Sequence, residues 1–520
     1  MSNIFSLLKV NAINLFGINK LFRKNENKSL KILGIIGVCI AIVALVELLC
    51  YLYFNELANL YFSQGLPFTF ISTVMGVGAM ICFFFGVYST SSVFFGAKDY
   101  ELLASMPIKK GQIVFAKYIQ IYLTNLIVCL LVSVFAISLT IVKMGFNWYD
   151  LAIPGLVMTL FLPLFPTAFS VLFGTIVTLI SSLFRKKNLV NIIVYIILFV
   201  GVMAVFFVDD ENMFSGINKL FFLSTFVEKG FVDWLNVLYF SLICLGMGLV
   251  VYVLTSIFYK KVNSALKSNH AKANYKVDSL KVNSQFKTYL KKEIKRLFSL
   301  PTYFLNTVLM SVFSVLMSVI ILVLFVSLKN DLGVVDLSIL DRFIPAVIAF
   351  FALSAPTTAA SISLEGKSVW LIKSLPVNHK KLFTAKIFVN DMFVIPTTVL
   401  SVTMLLIAFG ASLLTTIMTI LIAIFSVAFA SRFGLLLNLL FPKYTWENPN
   451  QPIKQSLCVF LTMMSAFIFA ALCVFLAIVN DLSLESYIVF IIELALMVIL
   501  TVITHILVYK KGEKLFFKKD

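Results

Sequence analysis

Charge is scarce in this chain. Only 13% of its 520 residues are charged, 61% are hydrophobic, and the mean hydropathy is +1.02. A soluble domain carries charge on about a quarter of its residues, so this composition excludes one. Histidine is nearly absent: His270, His379 and His505 are scattered, with nothing like zinc-ligand spacing. The seven cysteines (Cys39, Cys50, Cys82, Cys129, Cys244, Cys458, Cys473) all fall in apolar runs and form no C-x-x-C pair. They read as small buried hydrophobes rather than disulfides or metal ligands. The sequence has no G-x-x-x-x-G-K-[ST], no G-x-S-x-G and no H-E-x-x-H. The chain therefore carries no phosphate-cradling loop of its own, and neither a catalytic site nor a bound cofactor or metal is expected. Polar stretches of any length are missing too, except Lys260 to Lys287.

What is present is a succession of apolar runs, each long enough to cross a hydrocarbon core of about 30 Å as a helix. Twelve spans are expected, near 32–54, 67–95, 119–143, 152–184, 189–208, 234–259, 302–327, 343–364, 388–410, 411–440, 454–479 and 486–509. The first has no small-residue cleavage site after it and reads as a retained span rather than a signal peptide. The fold class is an all-α integral membrane protein.

The formal net charge of +18 is distributed by loop. Alternate loops hold Lys9, Lys20, Arg23, Lys24 and Lys28, then Lys109, Lys110 and Lys117, then Arg185, Lys186 and Lys187. The same side receives Lys260 to Arg296, Lys380, Lys381, Lys386 and the tail from Lys510 to Lys519. The opposite loops carry Asp209, Asp210, Glu211, Glu228, Asp331, Asp336 and Asp341. This is the positive-inside pattern and predicts cytoplasmic termini. The basic charge then serves topology and attraction to anionic lipid, and no nucleic-acid partner is expected.

One stretch occurs twice. Leu103 to Lys117 (LASMPIKKGQIVFAK) aligns without a gap with Ile372 to Lys386 (IKSLPVNHKKLFTAK), and Pro107 and Pro376 stand 269 residues apart (376 − 107). Such a long period marks two copies of one unit: a first six-span unit over 1–262, a linker over 263–285 and a second six-span unit over 286–520. Six is even, so the halves run the same way through the membrane, related by an axis along its normal. Each begins with an amphipathic basic stretch, Asn3 to Lys31 and Phe286 to Phe298, suited to the membrane interface. In the first copy of the repeated stretch, Ser105 is a candidate cap for a new helix, with Pro107 in its first turn. Met106 and Ile108 then lie near the tip of a surface turn, and exposed apolar residues rimmed by lysines suit a protein contact. Pro154, Pro163 and Pro166 should kink the fourth span. The largest outer segment, Asp209 to Asp233, is too apolar for a free loop and should form short helices at the outer face. The second half has only Asn480 to Glu485 there.

Four ionisable residues remain inside spans: Glu47, Asp391, Arg432 and Glu493. Each costs about 2.5–3.5 kcal/mol at the bilayer centre on insertion scales. They mark either a substrate or ion pathway or structural pairs, with Asp391 and Arg432 near the interface.

The order of basic amphipathic elbow, two spans, a Ser-Met/Leu-Pro turn with basic residues and Ala-Lys, then four more spans resembles the permease subunit of ABC-2 type bacterial ABC exporters. The run Leu439 to Asn448 (LLFPKYTWEN) is similar to a stretch of their large two-repeat permeases. The resemblance covers essentially the whole chain. It implies two cytoplasmic coupling helices, Glu101 to Ile108 and Trp370 to Val377, that dock on separately encoded ATPase subunits. Ser105, Met106, Pro107 and Ile108 form the first tip, and Ser374, Leu375, Pro376 and Val377 the second. Lys109, Lys110, Lys380 and Lys381 flank them. It further implies a bacterial cytoplasmic membrane and two ATPase copies per chain supplying ATP and Mg. The 53 phenylalanines and the scarcity of charge in the spans suit a hydrophobic or amphipathic cargo, peptide or lipid-like, and suit lipid-facing helices equally well. Glu101 is replaced by Trp370 in the second copy. The rival is a twelve-span secondary transporter, although the loop after span two lacks a Gly-x-x-x-Asp-Arg-x-Gly-Arg turn. A membrane-embedded enzyme or scaffold is the third class, and the absence of clustered catalytic residues weighs against it.

Overall fold

The computed structural model describes residues 6–10, 43–44, 47, 50–51, 54–55, 57–95, 100–182, 184, 187–205, 221–268, 283–328, 343–376, 378–410, 412–446, 449–483 and 486–517. Most of the amphipathic stretch 3–31, the first span, the start of the outer segment (209–220), Val377 and much of the linker lie outside them. Every regular element among the described residues is helical. The chain divides into two compact units, Met1–Lys272 and Ala273–Asp520.

In unit one, α1 (Pro67–Thr90) starts on a proline, whose missing N–H has no helical partner there. It runs into a π-helical turn, Ser91–Phe95, followed by the six-residue α2 (Tyr100–Ser105) and the long α3 (Lys110–Met144). Gly145, at φ 69°, ends α3 in the left-handed conformation that glycine adopts without strain. The expected kink falls at one proline: the span splits at Leu162-Pro163 into α4 (Trp148–Phe161) and α5 (Leu164–Ser182), while Pro154 lies inside α4. Then come α6 (Lys187–Val205), α7 (Ser224–Gly230) and α8 (Trp234–Ser268). The described end of the outer segment folds back on the bundle: Phe221, Leu223 and Val227 join the core around Phe70, Ile71 and Met75.

Unit two opens with α9 (Gln285–Ser299), capped by Ser284, whose hydroxyl accepts from the N–H of Lys287. Of its fifteen residues only Glu293 and Leu297 are buried, as expected of an interfacial helix. Next is α10 (Pro301–Leu328), bent by 46° near Val308–Met310. The following span, expected to be continuous over 343–364, is broken. It consists of α11 (Ile344–Ser354), α12 (Thr358–Ser361) and a 3-10 segment, Ser363–Ser368, leading into α13 (Val369–Ser374). Pro356 cannot donate to the preceding turn, which breaks the ladder at that point. The rest is α14 (His379–Phe409), α15 (Leu413–Leu440), α16 (Asn450–Lys454), α17 (Leu457–Ser483) and α18 (Ser486–Phe517).

Among the described residues nine helices are long and apolar enough to span, or ten with the bent α10. The expected span at 189–208 contains a shorter apolar helix, Asn188–Leu198. The first expected span is the one mostly outside the described residues.

Candidate functional site: the paired surface turns

The repeat is reproduced residue for residue at the turns. α2 and α13 are six-residue helices at positions 269 apart, 100 and 369 (369 − 100), and α3 and α14 begin at 110 and 379, the same offset. Ser105 and Ser374 are the last residues of the short helices and not caps of the next ones. Pro107 and Pro376 lie in the connecting turn. A proline drives the residue before it out of the helical region, and Leu375 accordingly sits at φ −83°, ψ 148°. The second helix is capped by Asn378, whose side chain accepts from the N–H of Lys381 at 3.2 Å. In the first turn the Gln112 amide oxygen accepts from the N–H of Lys109 at 3.3 Å.

Ser105, Met106, Pro107, Lys109, Lys110, Ser374, Leu375, Pro376, Lys380 and Lys381 are exposed. Met106 is 41% exposed, Leu375 50%, Leu371 49% and Trp370 65%, a large apolar surface for so short a stretch. Glu101 lies on α2, and Ile108 is half-buried against the core cluster that includes Phe94 and Ile113. Beneath α13, Ile372 is buried and the Lys373 ammonium lies 5.5 Å from the Phe516 ring centre and 5.6 Å from that of Tyr444. The short helix thus has an anchored face and an open one.

A buried ionic cluster that the sequence reading did not single out lies behind the second turn. The Lys386 ammonium, with no exposed side-chain surface, donates to Glu293 Oε1 at 2.7 Å, the Ser361 carbonyl at 3.0 Å and Glu365 Oε1 at 3.2 Å. Arg296 grips Glu365 with two parallel bonds, 3.0 Å and 2.6 Å, and reaches Glu293 at 3.1 Å. Lys292 closes on Glu365 at 2.9 Å. Three cations face two carboxylates, and the surplus charge sits nearest the surface, on Lys292, whose side chain is 39% exposed. Burial holds the Lys292 ammonium below its ordinary pKa against the pull of Glu365. Burial also works against the Arg296 guanidinium, but Glu293 and Glu365 hold its pKa above the ordinary value. Fork-to-fork pairing of this kind is directional as well as strong. The cluster ties α9, the segment before α13 and the second turn of α14 to one another.

Two asparagines complete the support. Asn390 Oδ1 accepts from the N–H of Thr357 at 2.8 Å and its hydroxyl at 3.1 Å, serving the donors freed at the Pro356 break. Asn438 Oδ1 accepts from the N–H groups of Ile362 and Ser363 at 2.7 and 2.9 Å. Trp446 Nε1 donates to the Ser363 carbonyl at 2.8 Å, and its ring lies against Gly366, which at φ 57° has no side chain to obstruct it. Trp446, within the run singled out in the sequence, therefore supplies a brace for the turn. Replacing Asn438 by leucine strands two buried amide donors, at about 1–3 kcal/mol. The expected result is a lowered thermal midpoint for the purified protein, and an unchanged midpoint would refute the capping role.

The intramembrane ionisable residues do not gather. Arg432 lies 3.5 Å from Asp391, donates to the Ala428 carbonyl at 2.7 Å and reaches His505 Nδ1 at 3.4 Å. Glu493 is 1% exposed, and neither carboxyl oxygen has a hydrogen-bond partner. Glu47 is half-buried in unit one. No group of three metal-ligating side chains occurs among the described residues.

Helices this long and apolar, in each of the two units, define a multi-span, all-helical membrane protein. The family model described as "Membrane protein of 12 TMs" matches residues 70–510, and the chain belongs to that family. No curated protein and no solved structure matches the chain.

Proposed function

We propose that this protein is the membrane permease of an ATP-driven exporter of the ABC-2 kind, with the two turns as docking elements for separate ATPase subunits, one at each. The observation that carries the reading is the exact recurrence of a short helix, an exposed apolar tip and a new span at 100–110 and 369–379. Lipid-facing helices need no such recurrence, whereas two equivalent contacts for two copies of one partner do. The ATPases would bring ATP and Mg, which this chain has no loop to hold. On this reading the turns face the cytoplasm of a bacterium, and a hydrophobic or amphipathic cargo, peptide or lipid-like, leaves through the apolar bundle. The Asp391–Arg432 pair and the buried Glu493 favour a second reading, a twelve-span secondary transporter.

The test is purification of tagged protein from its native membrane with identification of the co-purifying chains. An ATPase of about 200–300 residues, the span of a single large domain, is expected with wild type. It should be lost, by at least tenfold, from a Met106→Asp, Leu375→Asp double variant. Both side chains are exposed, so the bundle should fold normally. A chain that purifies alone would sink the exporter reading and leave the secondary transporter.

A further inference from the structure

α9 carries more positive charge than the buried cluster uses. Its fifteen residues, QFKTYLKKEIKRLFS, hold five cations and one acid. The acid, Glu293, is buried, where it meets Arg296 and Lys386. Lys292 and Arg296 are engaged by Glu365. The other three cations, Lys287, Lys291 and Lys295, are exposed. They stand four residues apart, and a helix of 3.6 residues per turn sets such a series in one row, each about 40° round from the last. The exposed face of α9 therefore presents one sign of charge, with no acid on it.

Apolar surface borders that row. Leu290, Ile294 and Phe298 are half-buried. Phe286, the residue before Lys287, meets Phe388 of α14 edge-on with ring centres 6.1 Å apart. Phe388 is 45% exposed, and Met392, one turn on, is 50% exposed. Phe298 packs on Phe304 and Phe393 at 5.3 and 5.8 Å. α9 is thus held beside apolar surface that α14 leaves uncovered, and its lysine row begins there.

We propose that the exposed face of α9 is a binding surface for the headgroups of anionic phospholipid, with Lys287, Lys291 and Lys295 as its contacts. Lysine stems lie along apolar surface while their ammonium groups reach outward, so the row suits an anion that carries acyl chains rather than a soluble acidic partner. A lysine near an anionic leaflet contributes about fivefold in affinity, and three together on the order of a hundredfold. Lys292 and Arg296 are held back from the lipid by Glu365, which stands four residues before α13. Lipid that holds α9 therefore also steadies the segment leading into the second turn. The surface stands without the exporter reading, and its consequence for docking rests on that reading.

The test titrates the full chain, in neutral detergent, with short-chain phosphatidylglycerol and phosphatidylcholine and counts bound lipid by native mass spectrometry. Phosphatidylglycerol should bind at least about tenfold more tightly. The Lys287→Gln, Lys291→Gln, Lys295→Gln variant should lose at least about tenfold of that affinity. A second triple variant, Lys510→Gln, Lys511→Gln, Lys514→Gln, removes the same charge from the exposed end of α18 and should lose less than about twofold. Should the first variant be poorly extracted, Lys287→Gln and Lys295→Gln alone should each lose about fivefold. Inorganic phosphate should not compete. Equal affinity for the two lipids would overturn the proposal. So would equal losses in the two triple variants, which mark a diffuse effect of net charge, or displacement by inorganic phosphate, which marks a site for a free anion.

Hydrogen exchange in nanodiscs reads the place and the consequence. Adding phosphatidylglycerol to phosphatidylcholine discs should slow the amides of 285–299 and of 365–374 in wild type and leave both unchanged in the α9 triple variant. No slowing over 285–299 would overturn the surface, and slowing there without any over 365–374 would overturn its transmission through Glu365.

Discussion

Lys386→Met lowers the stability of unit two by about 3–5 kcal/mol, the range for removing one partner of a buried ion pair. The side chain is wholly buried, so no solvent screens the loss. Methionine fills much of the same volume, and the cost comes from the carboxylates left behind. Glu293 keeps only Arg296, and Glu365 loses its shortest link to α14. Removing Glu293 at the same time should return part of the loss, because Glu293 made its shortest bond to Lys386 and the Glu293→Gln, Lys386→Met double variant no longer buries a carboxylate stripped of that partner. Residues in one network are not additive, and a cycle isolates their interaction. The measurement is the thermal midpoint and detergent-extracted yield of the two single variants and the double. A single variant within about 0.5 kcal/mol of wild type, the ordinary range for surface changes, would show that the cluster contributes nothing to the fold.

Gly434→Val and Gly174→Val should each impair folding, since both glycines are points of close approach to another segment. A side-chain carbon at Gly434 would lie 2.7 Å from Thr358 Oγ1, 3.0 Å from the Pro356 ring and 3.1 Å from the Ala359 backbone nitrogen. At Gly174 it would meet Thr90 at 2.6 Å and the Val87 carbonyl at 3.0 Å. Val87 and Pro356 are equivalent at the 269-residue offset, so the same contact is built once in each unit, against the same place on the second span. Overpacking of this sort costs about 1–3 kcal/mol for added methylenes, and backbone atoms on one side leave little room to relax. Gly246 is the control: nothing lies within 4 Å of a carbon added there. Gly246→Ala should be neutral, or gain up to about 1 kcal/mol of helix propensity. Thermal midpoints for the three variants would check the contrast. Equal behaviour of Gly434→Val and Gly246→Ala would refute the close approach.

Much of this could be read from residues alone, and the exceptions have a common cause. The amphipathic pattern of Phe286 to Phe298 predicted α9, and the Ser-x-Pro repeat predicted both turns. Ser105 was misplaced as a cap because serine suits an N-cap and the end of a helix alike, and the proline two residues on decided between them. The break at Ala355 to Thr357 was obscured by apolar neighbours. Its signal was Pro356 in the span, together with Asn390 and Asn438 on helices far away in sequence. Glu293 and Glu365 were not singled out. They sit 72 residues apart (365 − 293), and nothing local tells that both meet Lys386.

The sequence by itself determined the class of the protein, the approximate spans and the recurrence of the Ser-x-Pro turn. Hydropathy and charge act residue by residue against a bilayer, so they are legible without coordinates. The tertiary structure alone decided that Lys386 meets two carboxylates from distant segments, and that asparagine side chains cap a broken span. It also decided that the segment before α13 is fastened to α9 through Glu365. Those are contacts between distant segments, fixed by which buried donors and acceptors must find each other when water is excluded.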